Sequence, residues 1–484
     1  MRTFFPLIFF ALLGTATAQT KLYDPKELKE DADYYFSTLY RMHPNPNYFC
    51  SVSKFNKLKS KIYSELDKPL SKTDFILTMA QINFCLDTHS VIPLDDAVAE
   101  IVTKSLTDKM KETTFSFFRD SIDNISFFQD FTMASLKEFI KEKNIDKDSI
   151  MNSMVFFPVV KTRDKGIFFL GDSTNNIIDI NGNPTKTMLS EAKKYINKKL
   201  NPESNLRIIN QYINVMILSK NNINPPFRIK LSKTNREKII KGITLSEWVN
   251  EFSNVVLASL PKYHETLYTY EIYPENSIAI FHIQTFDGEK RDDFIEKLEK
   301  FKEEVNRQGI RYIFYDLSAN SGGNHYGDEA VDIIKHGNVY FKYTKTTRIP
   351  GAGVVKERRN RKSVSSPNQD DTDIPDDRIL FVLQSALTAS NADYFCRIIA
   401  ENKLGILVGE PTEELTKTFS VANAYTMPHT SVNFQVATVF YDFSDYFKGL
   451  TTSPDIYWDM KNIKEFTEQE LLNIISVYKN KKSK

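Results

Sequence analysis

Cysteine is scarce. Cys50, Cys85 and Cys396 are the three in 484 residues, odd in number and far apart. That excludes a disulfide scaffold and any CxxC metal knuckle. Cys85 and Cys396 sit among apolar neighbours (Phe84 and Leu86; Phe395 and Ile398) and read as buried thiols, the alternative being one disulfide with a thiol left over. Histidine is sparse too: seven are scattered with no HExxH or similar spacing, so no metal and no zinc chemistry is expected. Charge of one sign is missing, since 63 Lys and Arg against 62 Asp and Glu leave +1. A nucleic-acid backbone finds no basic excess to exploit. Beyond the leader, no run approaches the roughly 18 apolar residues of a membrane span. Glycine is limited to 16, which singles out the adjacent pair Gly322-Gly323.

What is present is globular: 41% hydrophobic, 13% aromatic and 26% charged residues, long enough for about three domains. Arg2, the apolar run from Phe4 to Leu13 and the small residues Ala16-Thr17-Ala18 make a signal peptide, with a short anchor as the alternative. Cleavage after Ala18 removes Arg2 and brings the charge to 1 − 1 = 0. No Cys follows the run, which argues against a lipoprotein. The expectation is an exported protein, periplasmic or extracellular, with no integral membrane segment after cleavage.

The pattern then divides. Residues 20 to 86 read as helical: Leu28, Ala32, Tyr35 and Leu39 keep helical spacing until Pro44 and Pro46 break it. Helices over Phe55 to Leu66 and Ser71 to Leu86 follow. Residues 96 to 245 are mixed, with short strands at 166–171 and 177–180, an Asn181-Gly182 turn, and a helix from Thr185 to Leu200. From about 246, strands at 277–283, 311–317, 378–383 and 405–409 alternate with helices Arg291 to Arg307 and Asn391 to Asn402. That rhythm predicts βαβ units and a largely parallel sheet. Residues 345 to 377, basic and then acidic, read as a solvated loop, with a flap beside a cleft as the alternative. Residues 479–484 read as a frayed basic end.

Three segments can carry chemistry. Asp316-Leu-Ser-Ala-Asn-Ser-Gly-Gly323 ends a buried strand, and its adjacent glycines let backbone N–H groups converge on an oxyanion; a plain tight turn is the competing reading. Leu387-Thr-Ala-Ser-Asn-Ala-Asp393 places Ser390 at a helix start, where the dipole favours negative charge, although a serine there is commonly just an N-cap. Cys85-Leu-Asp-Thr-His89 holds a histidine after a helix.

Together these segments resemble the S41 serine peptidases, of the C-terminal processing and tricorn-core type, in their interphotoreceptor-retinoid-binding-like branch. Met42-His-Pro-Asn-Pro46 is similar to "HPN", Leu86-Asp-Thr-His89 to "DGHT/S", and Ile177 to Pro184 to the "INGxP" piece of a PDZ-like domain. Asp316 to Gly323 is similar to "DLRxNxGG", Thr388-Ala-Ser390 to "TxS", Val408 to Thr412 to "xGEPT" and Ser453 to Ile456 to "xPDI". The resemblance implies an α/β, crotonase/ClpP-like peptidase core at 246–470. It places a signal peptide at 1–18, an N-terminal helical domain at 19–95, a PDZ-like domain at 96–245 and a basic tail at 471–484.

The resemblance also implies roles. Ser390 would be the nucleophile and His89 its general base, with Thr88 and Asp445 (or Asp442) orienting the imidazole. The N–H of Asn391 with that of Gly322 or Gly323 would hold the oxyanion, about 3 kcal/mol per donor. No cofactor is implied, and the substrate is a polypeptide cut through an acyl-enzyme. The chain departs from the pattern at Ser318, where the Arg of "DLR" stands. It departs again at Leu415, the place of the lysine of a Ser–Lys dyad, with Lys417 off register, and at Glu413 and Glu414, usually small. The Ser–His arrangement is favoured, and a catalytically silent protein capturing peptide ends or small apolar ligands is the alternative.

Overall fold

The computed structural model describes residues 21–87, 89–92, 155–163, 166–169, 175–195, 225–234, 236–244, 247, 267–362, 366–412, 414–445, 449–460, 463 and 465–482. The leader, and the expected helix beyond residue 195, lie outside the described residues.

Helix α1 (Pro25–Met42) begins on a capping box between Asp24 and Glu27, with Pro25 in its first turn. It buries Leu28, Ala32, Tyr35, Phe36 and Leu39. It stops at His43, whose extended backbone suits the proline that follows. Helices α2 (Val52–Glu65) and α3 (Lys72–Ala80) start on the side chains of Ser51 and Ser71. A 3-10 turn, Gln81–Cys85, ends the helical stretch. Cys50 and Cys85 are joined in a disulfide, and only Cys396 is a buried free thiol. The reading of Cys85 as a thiol is thus corrected: the fold of α2 and α3 brings its Cα within 5.1 Å of the Cα of Cys50, a distance suited to a disulfide.

The middle of the chain forms an antiparallel sheet from Val160–Arg163, Gly166–Phe169, Ile177–Ile180, Phe227–Leu231 and Glu237–Ile240, with helix Thr185–Ala192 against it. Asn181 and Gly182 both have positive φ, as a tight hairpin turn requires.

Two sheets build the rest. The first has six strands: β1 (Tyr268–Tyr273), β2 (Ile278–Ile283), β3 (Tyr312–Asp316), β6 (Ile379–Gln384), β7 (Ile406–Gly409) and β10 (Ile456–Tyr457), in the order β1-β2-β3-β6-β7-β10. All neighbours are parallel except β1 with β2. Alternate residues of the pleat face opposite ways. Phe281, Ile313, Tyr315 and Val382 pack on α4 (Arg291–Arg307) and α5 (Asn391–Asn402). Ile280, Phe314, Phe381 and Leu383 face α6 (Glu468–Lys482). The expected basic tail is therefore helical to Lys482. Leu471, Ile474 and Ile475 form an i, i+3, i+4 stripe that covers the second face of the sheet.

The second sheet is antiparallel, β5-β4-β9-β8, from β4 (Tyr340–Ile349), β5 (Gly353–Lys362), β8 (Lys417–Thr426) and β9 (Asn433–Asp442). The first half of the expected loop over 345–377 is corrected here, while residues 366–377 lie outside any strand or helix. Its basic half is strand β5, paired along its length with β4, whose Tyr, Phe and Thr residues favour a pleat. The helices share a core with this sheet, since Tyr35, Phe36 and Ile82 cluster with Val432, Phe434 and Val436.

Candidate active site

Ser390 lies where β6 passes the chain to α5, in a backbone state with φ +51° and ψ −125°. A serine at that angle is strained, at a cost of order 1–3 kcal/mol, and such strain collects at functional positions. A capping serine would be extended and would accept from the first turn. Ser390 makes no capping hydrogen bond. The N-cap reading fails here.

Two motif loops laced together hold this geometry. Thr388 Oγ1 donates to the carbonyl of Leu317 at 2.8 Å and accepts from the N–H of Ser385 at 2.9 Å. Ala389 N–H donates to the carbonyl of Asn320 at 3.1 Å, and Ser385 Oγ to that of Ser318 at 2.5 Å. Asn320 is fully buried; its Nδ2 reaches the carbonyl of Ile283, and its Oδ1 takes the N–H of Gly322 at 2.8 Å.

Gly322 then passes directly under the serine. A Cβ on Gly322 would sit 2.6 Å from Ser390 Cβ and 2.8 Å from the carbonyl oxygen of Ala389, so only glycine fits. The N–H of Gly322 is spent on Asn320, whereas among the described residues that of Gly323 meets no acceptor. Gly323 bridges Phe286 through its neighbours' groups, and its own carbonyl accepts from Asn391 Nδ2. The N–H of Asn391, at the first helical position, has no intrahelical partner by construction. The structure therefore brings Gly322, Gly323, Ser390 and Asn391 into one place.

His89 belongs to a different assembly. Asp87 is buried; its Oδ1 accepts the N–H of His89 at 2.8 Å, and its Oδ2 meets Nε2 of the buried His43 at 2.8 Å. His43 Nδ1 accepts the N–H of Asn45 at 3.0 Å, so the ring is neutral and its Nε2–H donates to Asp87. Burial works to raise the pKa of Asp87. The hydrogen bond from His43, the charge of His89 and the Ser90 hydroxyl outweigh it and hold the carboxyl below its ordinary value. Arg348 of β4 clamps the carbonyls of His43 at 2.6 Å and Pro44 at 3.3 Å, and Phe419 of β8 lies against the His43 ring. After His89, Ser90 Oγ and the carbonyl of Val91 take the N–H groups of Ala437 and Gln435 in β9. The His89 loop is thus stitched to the second sheet. That sheet also carries Phe341 and Tyr441, against which Tyr394 of α5 packs.

Thr88 lies outside the described residues. Asp445 pairs with Arg358 at 3.8 Å, both well exposed. Asp442 is committed to Lys417 at 3.2 Å and to Ser444; burial raises its pKa, and Ser444 with Lys417 brings it below the ordinary value. Lys417, cross-strand from Asp442, serves that carboxylate. Leu415 forms an isolated bridge with Thr451. Of the two unexpected glutamates, Glu414 accepts from Thr418 Oγ1 and Glu413 lies outside the described residues. Ser318, in the place of an arginine, is fully buried and donates to Asp316 Oδ1, while Asp316 Oδ2 pairs with His282 at 2.8 Å.

Sequence reasoning missed three residues. Arg348 lay in a presumed loop and carried no signal. His43 and Asp87 stood inside quoted motifs, but nothing in their 44-residue separation announced a contact.

Residues 277–457 match peptidase family S41. That match spans the α/β domain that runs from β2 to β10. No curated protein matches the chain. Among solved structures, mature CPAF complexed with lactacystin is similar, with a TM-score of 0.50 and 9% identity over 94% of this chain and 98% of that one. The photosystem II D1 C-terminal processing protease matches with a TM-score of 0.38 and 10% identity, over 92% of this chain and 98% of that one. At such identities the likeness to CPAF is one of fold. Among the described residues no helix is long and apolar enough to cross a membrane, and no group of His, Cys, Asp or Glu could hold a metal ion.

Proposed function

We propose that the chain is an exported serine peptidase acting on polypeptides through a Ser390–His89 acyl-enzyme mechanism. The observation that carries this reading is Ser390 itself, left-handed at a helix start, not capping, and seated on a glycine that tolerates no side chain. His89 takes the proton of the serine hydroxyl as it attacks the scissile carbonyl and returns it to the leaving amine. The N–H groups of Gly323 and Asn391 receive the developing oxyanion, each contributing about 3 kcal/mol. Thr88 is assigned to the imidazole. Asp445, whose pair with Arg358 is long and exposed, is the acidic orienting group, Asp442 being committed to Lys417. The Cys50–Cys85 disulfide supports export, since such bonds persist in oxidising compartments. The middle sheet is read as a PDZ-like module that takes a peptide end as an added strand.

The test is reaction with a fluorophosphonate. The wild type should label, and Ser390→Ala and His89→Ala should not. Loss of labelling in Lys417→Ala with retention in His89→Ala would replace the dyad. A wild type that stays unlabelled but binds peptide ends would make the chain the silent binder that Ser318 favours.

A further inference from the structure

The contacts before His89 form a chain with a direction. Asn45 N–H fixes Nδ1 of His43, which fixes the tautomer and leaves Nε2–H as a donor. That donor takes one oxygen of Asp87, and the other oxygen takes the backbone N–H of His89. Both ends are anchored elsewhere. Arg348 holds the His43 and Pro44 carbonyls from β4, and the Cys50–Cys85 disulfide ends two residues before Asp87. His43 and Asp87 are 1% and 4% exposed, too deep to meet a polypeptide directly. A buried polar set of this kind is a poor stabiliser compared with apolar packing, so its presence asks for another purpose.

We propose that His43 and Asp87 are positioning residues for His89: a buried neutral imidazole orients one carboxylate, which in turn sets the backbone, and hence the ring, of the general base. The inference rests on the reading of His89 as that base. The titratable groups facing Asp87 among the described residues are His43, His89 and the buried Tyr35 hydroxyl, whose own pKa burial and Asp87 push up.

The experiment compares the full chain with His43→Gln, His43→Leu and Asp87→Asn, disulfide intact. Two readouts are followed: the rate of fluorophosphonate labelling against pH, and NMR of histidine-labelled protein with the His89 signals assigned through His89→Ala. A glutamine can still accept from Asn45 and donate to Asp87; a leucine can do neither. His43→Leu and Asp87→Asn should slow labelling by about tenfold or more, as displaced catalytic groups do. They should also move the His89 amide resonance, and His43→Gln should recover most of both. Wild-type rates and wild-type His89 resonances in His43→Leu and Asp87→Asn, even with a lowered melting temperature, would overturn the proposal. The NMR readout holds whether or not the chain labels. An unlabelled wild type, or labelling that survives His89→Ala, would therefore be a failure of the catalytic reading and not of the positioning contacts.

Discussion

Three carboxylates near the site, Asp87 and Asp393 buried and Asp316 partly so, are managed in two ways, and pH should separate them. Asp87 and Asp316 keep their charge because a histidine and a serine hydroxyl outweigh burial, so both titrate below the ordinary 3.8. Asp393 goes the other way: burial dominates over Arg397 and the Thr412 and Thr452 hydroxyls, and its pKa is raised. A depressed carboxylate stabilises the fold above its unfolded pKa and loses that contribution as pH falls through its folded pKa. Thermal unfolding should therefore show the melting temperature of the wild type falling as pH drops below about 4. The gap between it and Asp87→Asn should narrow over the same window. The glycines give a second contrast. Gly322→Ala forces a carbon to 2.6 Å from Ser390 Cβ and should abolish probe labelling. Gly182→Ala meets no atom within 4 Å and carries only its φ of +83°, so it should cost about 1 kcal/mol in denaturant melts and keep labelling.

At the scale of elements, the joints between helices and the second sheet decide where His89 can stand. Asp31, buried in α1, accepts the N–H groups of His429 and Thr430 and the Thr430 hydroxyl, at the turn between β8 and β9. Asp31→Ala strands three donors and should cost about 3 kcal/mol in urea unfolding. The disulfide closes a loop of sequence separation 35, for which chain entropy gives about 4 kcal/mol. Reduction should lower the melting temperature and slow labelling together, because Cys85 roots the His89 loop. These joints explain what was legible in the sequence. Helices with their own period, α1, α4 and α5, and strands such as β3 and β6 that are apolar up to their last residue could be read locally. β5 and α6 could not. Lysines and arginines do not announce a strand whose partner, β4, supplies the β-forming side chains, and a lysine-rich helix looks like a tail until Ile474 and Ile475 meet the sheet. The motif residues around Ser390 were legible as types. The division of labour between Gly322 and Gly323, set by Asn320 Oδ1, needed coordinates.

Across the whole molecule, two sheets carry the two halves of the proposed machinery. The parallel sheet delivers Ser390, Asn391 and Gly323 at the ends of β6 and β3, the carboxyl edge where open α/β sheets place ligands. The antiparallel sheet delivers His89 by way of β9, with α5 packed between the two systems. On the proposed mechanism, catalysis depends on how α5 and β9 keep station, which is why substitutions far from Ser390, at Asp31 or Cys85, are expected to reach it. The central claim is the identity of the nucleophile, and the most direct measurement is the mass of the probe adduct. Intact-mass analysis after fluorophosphonate treatment should show a single addition, and fragmentation should place it on Ser390. An adduct on any other residue, or an equal adduct in Ser390→Ala, would contradict the account.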